Sequence, residues 1–445
     1  MRGGMGTGIR GAGWLALLLV TGCGSSGSSG GTDGGGGNGG GGGETGAPTA
    51  DFVATGSTGD APLTVAFEDR STGTITAWTW SFGDGASSSQ SDPAHTYVTP
   101  GVYSVRLTVT GPNGGDSLMR TDLVRVFDPN RQGIWTSSRE VAALAMSGSA
   151  WNSLLSEANR ATGTPDVSNQ DDDTDVRVLA KALVFARTGD DGYRQDVIEA
   201  CMAAIDTELG GRTLALGRNL IGYVLAADLV GLPGSEDTRF RAWLQRCRTE
   251  SLSGMTLVST HEDRPNNWGT HAGASRAAVA LYLDDQADLA RCAQVFRGWL
   301  GERGVYAGFS YGDLAWQADS AHPVGINPRG ATRDGHSLDG VLPDDQRRAG
   351  GFLWPPPKEN YVWEALQGAL AQAVILSRAG YDVWSWSDQA LLRAASWLHD
   401  ECHYPASGDD TWEPHVLNYF YAADFPAPVP TNPGKNVGWT DWLLQ

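Results

Sequence analysis

Eight residues, RPNNWGTH at positions 264–271, place a guanidinium, two amides, an indole and an imidazole directly ahead of an apolar helical pattern, AGASRAAVALYL. If the helix begins within this run, Asn267 and His271 are four apart and share a face. An amide donor beside an imidazole makes a cradle for a carboxylate. The structural alternative is that Asn266 caps the helix while Trp268 and His271 fill the core. A second set stands downstream: Arg333, His336, Arg347 and Arg348 in an irregular segment over 301–360, then Tyr361 opening another helical run. Together they suit β-elimination on a uronic acid. That reaction removes the proton next to a carboxylate and expels the glycosidic oxygen one carbon on. It needs the carboxylate neutralised by amide, imidazole or guanidinium donors, together with a base and an acid. A tyrosine phenol, ordinarily near about 10, can serve as either when adjacent cations lower that value.

Other chemistries lack their residues. There is no GxSxG, HExxH, P-loop or dinucleotide fingerprint. A glycosidase needs two opposed carboxylates; Asp313, Asp344 and Glu364 are available, but nothing singles out a pair. Beyond Cys23, the cysteines Cys201, Cys247, Cys292 and Cys402 have no CxxC spacing, so no metal centre and no cofactor is predicted. An oxidising compartment would permit disulfides, their connectivity is not legible, and all four cysteines can equally be buried thiols. The net charge of −19 argues against a nucleic-acid partner. Lysine occurs only three times, so nearly all positive charge is arginine, whose planar fork suits carboxylates. An acidic protein that binds an anion must concentrate its arginines locally, and the 301–360 segment does so.

The elements that would position these groups follow from composition and period. Arg2 and Arg10 precede an apolar run over 14–20, too short to span a bilayer. It ends in Val20-Thr21-Gly22-Cys23, a secretory signal with the look of a bacterial lipobox. The expectation is a signal peptide over 1–23, lipidation at Cys23 and a membrane anchor holding the protein at the cell envelope. Residues 24–47 are almost wholly Gly and Ser, a flexible tether. Residues 48–128 read as all-β, with alternating runs at 63–67 and 103–109. Trp78, Trp80 and Phe82 alternate there before an Asp-Gly turn. From about 139 the period becomes helical: 177–187, 193–208, 214–230, 239–252, the run after the two asparagines, 289–300, 361–379, 387–399 and 413–423. Helices in series, joined by short Gly-containing turns, predict a mainly α domain over 135–445, an α/α toroid or incomplete α/α barrel. A monomer is expected.

Two resemblances sharpen this. The run Trp80-Ser-Phe-Gly-Asp-Gly85, followed by His95-Thr-Tyr97 and Pro100-Gly-Val-Tyr103, resembles the PKD domain, an immunoglobulin-like β-sandwich, and implies a spacer or contact role. The helical domain resembles the α/α-toroid polysaccharide lyases of the alginate lyase type. Their first motif is Asn-Asn-His; here Asn266 and Asn267 match, Trp268 stands in place of the His, and a His recurs at 271. Their second motif, DGxLPxELxRG and then YxxxALxxL, is matched by DGVLPDDQRR at 339–348 and YVWEALQGAL from Tyr361, with AGGFLWPPPKEN between them. The resemblance implies that Asn267 neutralises the carboxylate and that Tyr361 is base, acid or both. Arg348, or its neighbour Arg347, would stabilise charge near that tyrosine. His271, or else His336, would take the part of the displaced histidine. Arg264, Trp268, Arg333, Arg347 and Trp354 would bind substrate, the tryptophans as stacking walls. The substrate implied is an anionic polysaccharide, alginate or a glucuronan-like polymer. A glycoside hydrolase on the same scaffold and a non-catalytic glycan-binding lipoprotein are the competing readings.

Overall fold

A computed structural model describes residues 46–127, 129, 132–429 and 437–444. The expected signal peptide, Cys23 and nearly all of the Gly/Ser tether lie outside the described residues.

The N-terminal domain has eight strands: β1 (Phe52–Thr55), β2 (Thr58–Asp60), β3 (Leu63–Asp69), β4 (Ala77–Ser81), β5 (Ser87–Ser88), β6 (Ala94–Tyr97), β7 (Gly101–Gly111) and β8 (Gly114–Phe127). They form two sheets, ordered β1-β3-β6 and β2-β8-β7-β4-β5. Period-2 alternation sends Val105, Leu107 and Val109 of β7 inward. Trp80 and Phe82 are buried between the sheets with Phe52 and Phe67, and the Phe52 and Trp80 rings meet edge-on at 5.0 Å. The alternating aromatics are therefore core. Trp78 is half-buried and donates its indole N–H to Asp69 at 2.6 Å.

Fourteen helices follow among the described residues: α1 (Ser138–Ala143), α2 (Ser149–Ala158), α3 (Thr174–Thr188), α4 (Asp191–Ala204), α5 (Thr213–Val230), α6 (Gly234–Thr249), α7 (Leu257–Asp263), α8 (Asn267–Tyr282), α9 (Gln286–Trp299), α10 (Pro343–Gln346), α11 (Asn360–Arg378), α12 (Trp386–Asp400), α13 (Glu413–Tyr421) and α14 (Thr440–Leu443). Contacts run α2 to α3, α3 to α5, α5 to α8, α8 to α11, α11 to α13, α13 to α14 and back to α2, which closes a ring. The closure is a tryptophan contact: Trp442 packs against Trp151 with centroids 5.4 Å apart and ring planes tilted by 42°, and donates to the Ala145 carbonyl at 2.9 Å. The predicted toroid is present.

Composition explains which helices line the ring. All of α5 is buried, as is most of α3, α8 and α11, because they carry small and apolar residues on every side. Helix α5 is long and apolar enough to cross a membrane, yet it is wholly interior. The outer helices are one-sided. On α6 the buried residues are Phe240, Trp243, Leu244 and Cys247, at spacings of three, four and seven. Helix α6 begins five residues before the predicted start at 239, because its first turn, with Glu236 and Asp237, is polar and shows no apolar period. Glycines allow the inner helices to touch. A Cβ at Gly217 would lie 2.9 Å from the Ala272 nitrogen, and one at Gly368 would lie 2.5 Å from the Thr270 carbonyl carbon.

Three inner helices return through an outer one after a turn of two or three residues, in the pairs α3–α4, α5–α6 and α8–α9, and α11 returns through α12 after seven. Helices α5, α8 and α11 consequently run in the same direction, and their N-termini share one rim. The chain enters the ring at the other rim. The Ile134 N–H donates to Asp228 at 2.9 Å near the end of α5, and Arg378 at the end of α11 donates to the Gly133 carbonyl at 3.1 Å. The four cysteines Cys201, Cys247, Cys292 and Cys402 are buried free thiols. The 301–360 segment is irregular as predicted, apart from α10 and a two-residue hairpin, β9 (Thr332–Arg333) and β10 (His336–Ser337).

Candidate active site

The RPNNWGTH run does open a helix at the shared rim. Asn266 is its N-cap, accepting the Trp268 N–H at 3.2 Å, while its own amide donates to Asp344 at 3.0 Å. Asn267 is fully buried; its backbone N–H donates to Asp345 at 3.1 Å and its side-chain amide to Glu364 at 3.2 Å. One turn on, His271 is also fully buried, at the level where Gly217 of α5 and Gly368 of α11 press against its backbone. The two residues share a face, as their spacing predicts, but that face packs between helices. Asn267 and His271 thus lie behind the cleft wall, with the Asn267 amide turned to Glu364. Arg264, Asn266 and Trp268 are the members of the run that line the surface cleft.

That cleft has two adjoining compartments. The larger, about 480 Å³, is walled by Arg212, Arg218, Trp268, Arg348, Tyr361 and Glu364. The smaller, about 200 Å³, is walled by Arg264, Asn266, Trp268 and Arg348. Trp268 and Arg348 thus stand between them. Arg212, Arg264 and Arg348 are exposed and form no ion pair among the described residues. In a chain of net charge −19, these three exposed guanidiniums gather in one cleft, beside the carboxylates of Asp171 and Glu364, and offer donors to an anion. The N-terminal ends of α5, α8 and α11 add partial positive charge there. Arg348 lies over the Tyr361 ring at 4.8 Å, and Tyr361 is 40% exposed at the first turn of α11.

Behind the cleft, Asp344 gathers the Asn266 amide, the Gly312 N–H at 3.1 Å and Arg347 at 2.8 Å. Arg347 is therefore held by a buried carboxylate, and Arg348 is the arginine that lies over Tyr361. Asp345 is fully buried; burial, and then the charge of Asp344, push its carboxyl well above the usual range. Arg333, His336 and Trp354 gather elsewhere. Arg333 donates to the Ala315 carbonyl and lies 5.3 Å from the Phe352 ring centre, while His336 stacks on Trp354 at 4.1 Å. Phe352 in turn meets the buried Trp316 at 4.9 Å. This aromatic cluster packs under the segment joining Arg348 to Tyr361, and Arg333, His336 and Trp354 are not among the residues that line the cleft.

Sequence reasoning passed over Arg212, Arg218 and Asn360. Arg218 carried a visible signal, the one cation inside the apolar run of α5; it is 2% exposed and paired with Glu364. Arg212 precedes a helix start and shows no pattern of its own. Among the described residues no cluster of His, Cys, Asp and Glu is suited to a metal ion. A groove of about 540 Å³ lies between the two domains. Its charges are already paired, Arg125 with Asp191, Arg139 with Asp60 and Glu140 with Arg378, so it offers an anion little.

The PKD domain family model matches residues 45–126. The alginate lyase family model matches residues 180–305, which takes in Arg212, Arg218, Arg264 and the two asparagines. The chain joins a PKD domain to an alginate lyase domain. Arg348, Tyr361 and Glu364 lie beyond the matched stretch of the alginate lyase domain and join its site by geometry. Collagenase ColA of Bacillus cereus is 37% identical over 57 residues, which are 13% of this chain and 6% of that protein. The chain thus spans only a small part of the length of that curated relative. The PKD1 domain of Vibrio anguillarum Epp is 32% identical, covering 19% of this chain and 100% of that one, with a TM-score of 0.17. An alginate lyase from Bacteroides ovatus is 13% identical, covering 56% of this chain and 66% of that one, with a TM-score of 0.35.

Proposed function

We propose that the alginate lyase domain cleaves a uronate polysaccharide, alginate or a glucuronan-like polymer, by β-elimination. The observation that carries this is the placement of Arg348 over Tyr361 in a cleft where Arg212 and Arg264 are also exposed and outside any ion pair among the described residues. The arginines hold uronate carboxylates and stabilise the enolate-like charge that develops when the neighbouring proton leaves. Tyr361 takes the proton from C5. The C–H electron pair becomes the C4–C5 double bond, the C4–O bond breaks, and the departing oxygen takes a proton from Tyr361. Trp268, between the compartments, offers a ring face to a sugar. The competing hydrolase reading requires two opposed carboxylates; Asp171 and Glu364 line the cleft, and Glu364 is committed to Arg218, Asn267 and Asn360.

The test is incubation with alginate, glucuronan, pectate and glycosaminoglycans while following ultraviolet absorbance of the unsaturated uronate. Expected is absorbing product from a polyuronate, lost on Tyr361→Phe with binding retained. Chain shortening without absorbance would identify a hydrolase, and binding without shortening a glycan-binding protein; either result overturns the reading.

A further inference from the structure

All three rim helices converge on the side chain of Glu364. It belongs to α11. Its Oε2 accepts from Arg218 of α5 and from the Asn267 amide of α8 at 3.2 Å, and its Oε1 accepts from Asn360, four residues earlier, at 3.1 Å. Arg218 is 2% exposed and Asn267 is fully buried, so both donors are supplied from inside the ring. The Glu364 side chain is itself 15% exposed, at the cleft wall. Tyr361 lies in the same helical turn, three residues before Glu364. A residue at i and one at i+3 are neighbours on a helix surface, and the Asn360–Glu364 bond ties the turn that carries the phenol.

We propose that Glu364 is the positioning residue of the cleft, locking the first turn of α11, and with it Tyr361, onto α5 and α8. The assignment separates two tasks that the donor set alone would confuse. Asn267 and Arg218 are spent on holding Glu364, whereas the exposed Arg212, Arg264 and Arg348 meet the substrate. Its kinetic consequence rests on the lyase reading; its structural consequence does not. Removing the Glu364 charge leaves the outer arginines in place, so substrate binding persists while the phenol loses its aim.

The experiment compares the full chain with Glu364→Gln, Glu364→Asp and Arg212→Ala, using steady-state kinetics on a cleaved polyuronate and amide hydrogen exchange over the first turn of α11. Glu364→Gln is expected to lower kcat by about 10²-fold with KM within about threefold, and to speed exchange by about tenfold or more. Glu364→Asp, which keeps the charge one methylene short, should show the same split in smaller measure and covers the case of a poorly folding amide variant. Arg212→Ala should raise KM and leave exchange at that turn unaltered. Unaltered kcat and exchange in Glu364→Gln, or a rise in KM with kcat preserved, would overturn the proposal. If the wild-type chain gives no unsaturated product from any polyuronate, the lyase reading falls. Exchange then decides alone: faster exchange upholds the positioning role and unaltered exchange removes it.

Discussion

The close approach of α11 to α8 sets the width of the cleft, and one methyl group tests it. In Gly368→Ala the new Cβ would stand 2.5 Å from the Thr270 carbonyl carbon, where ordinary carbon contacts lie at about 3.5–4.0 Å. Both neighbours are helix backbone in a close-packed interior, so α11 must retreat by about 1 Å. Overpacking of this kind costs about 1–3 kcal/mol, which lowers the melting temperature by about 2–4 °C per kcal/mol in a domain of this order of size. The retreat also stretches the Asn267–Glu364 bond, now 3.2 Å, and carries Tyr361 away from Trp268. A displacement of about 1 Å at a reacting group costs about 10²-fold in rate. Calorimetry and turnover on the preferred polyuronate would be measured beside Gly234→Ala, a control site on α6 with open space around the new methyl. If Gly368→Ala and Gly234→Ala melt together and turn over alike, the contact does not set the cleft and the reasoning fails.

Three further outcomes are expected. Arg348→Ala should lower kcat/KM by about 10²–10³-fold, with far-ultraviolet circular dichroism unaltered, since its exposed guanidinium lies over the Tyr361 ring and lines the cleft without forming an ion pair among the described residues. Arg264→Ala should weaken polyuronate binding by about tenfold, measured by titration of tryptophan fluorescence, and added salt should weaken the wild type in the same sense. Glu413 is fully buried with neither carboxylate oxygen hydrogen-bonded, and burial, then Asp410, hold its carboxyl well above the usual range. The folded state therefore keeps a proton that the unfolded state releases above about pH 4, so stability falls as pH rises from there. Glu413→Gln should melt above the wild type at pH 8, and the gap should close toward pH 4.

The sandwich and the long helices were legible because their periods are clean. β7 alternates without a break through Val105, Leu107 and Val109, and α11 carries apolar residues along its whole length. Short helices such as α1, α7 and α14 were not, since six, seven and four residues make too few turns to show a period. At the site, Trp268, Arg264, Arg348 and Tyr361 meet as their motifs suggested. What the residues could not reveal is which side of a helix faces water. Asn267 and His271 occupy one face, and only packing against α5 and α11 decides that the face is inside. Arg347 and Arg348 are likewise adjacent in sequence. Their opposite fates depend on Asp344, which receives one and not the other.

The tryptophan contact that seals the ring also sets when the domain can come into being. Trp442 and its acceptor Ala145 are 297 positions apart. At about 5–20 residues per second of synthesis, roughly 15–60 s pass between the making of α2 and the arrival of the helix that covers it. Through that interval Trp151 lacks its partner indole on a half-built arc of helices. The α14 helix thus acts as a latch: local pairs form as they emerge, but the closed circuit of contacts, and the rigidity of the rim that depends on it, arrive in a single late event.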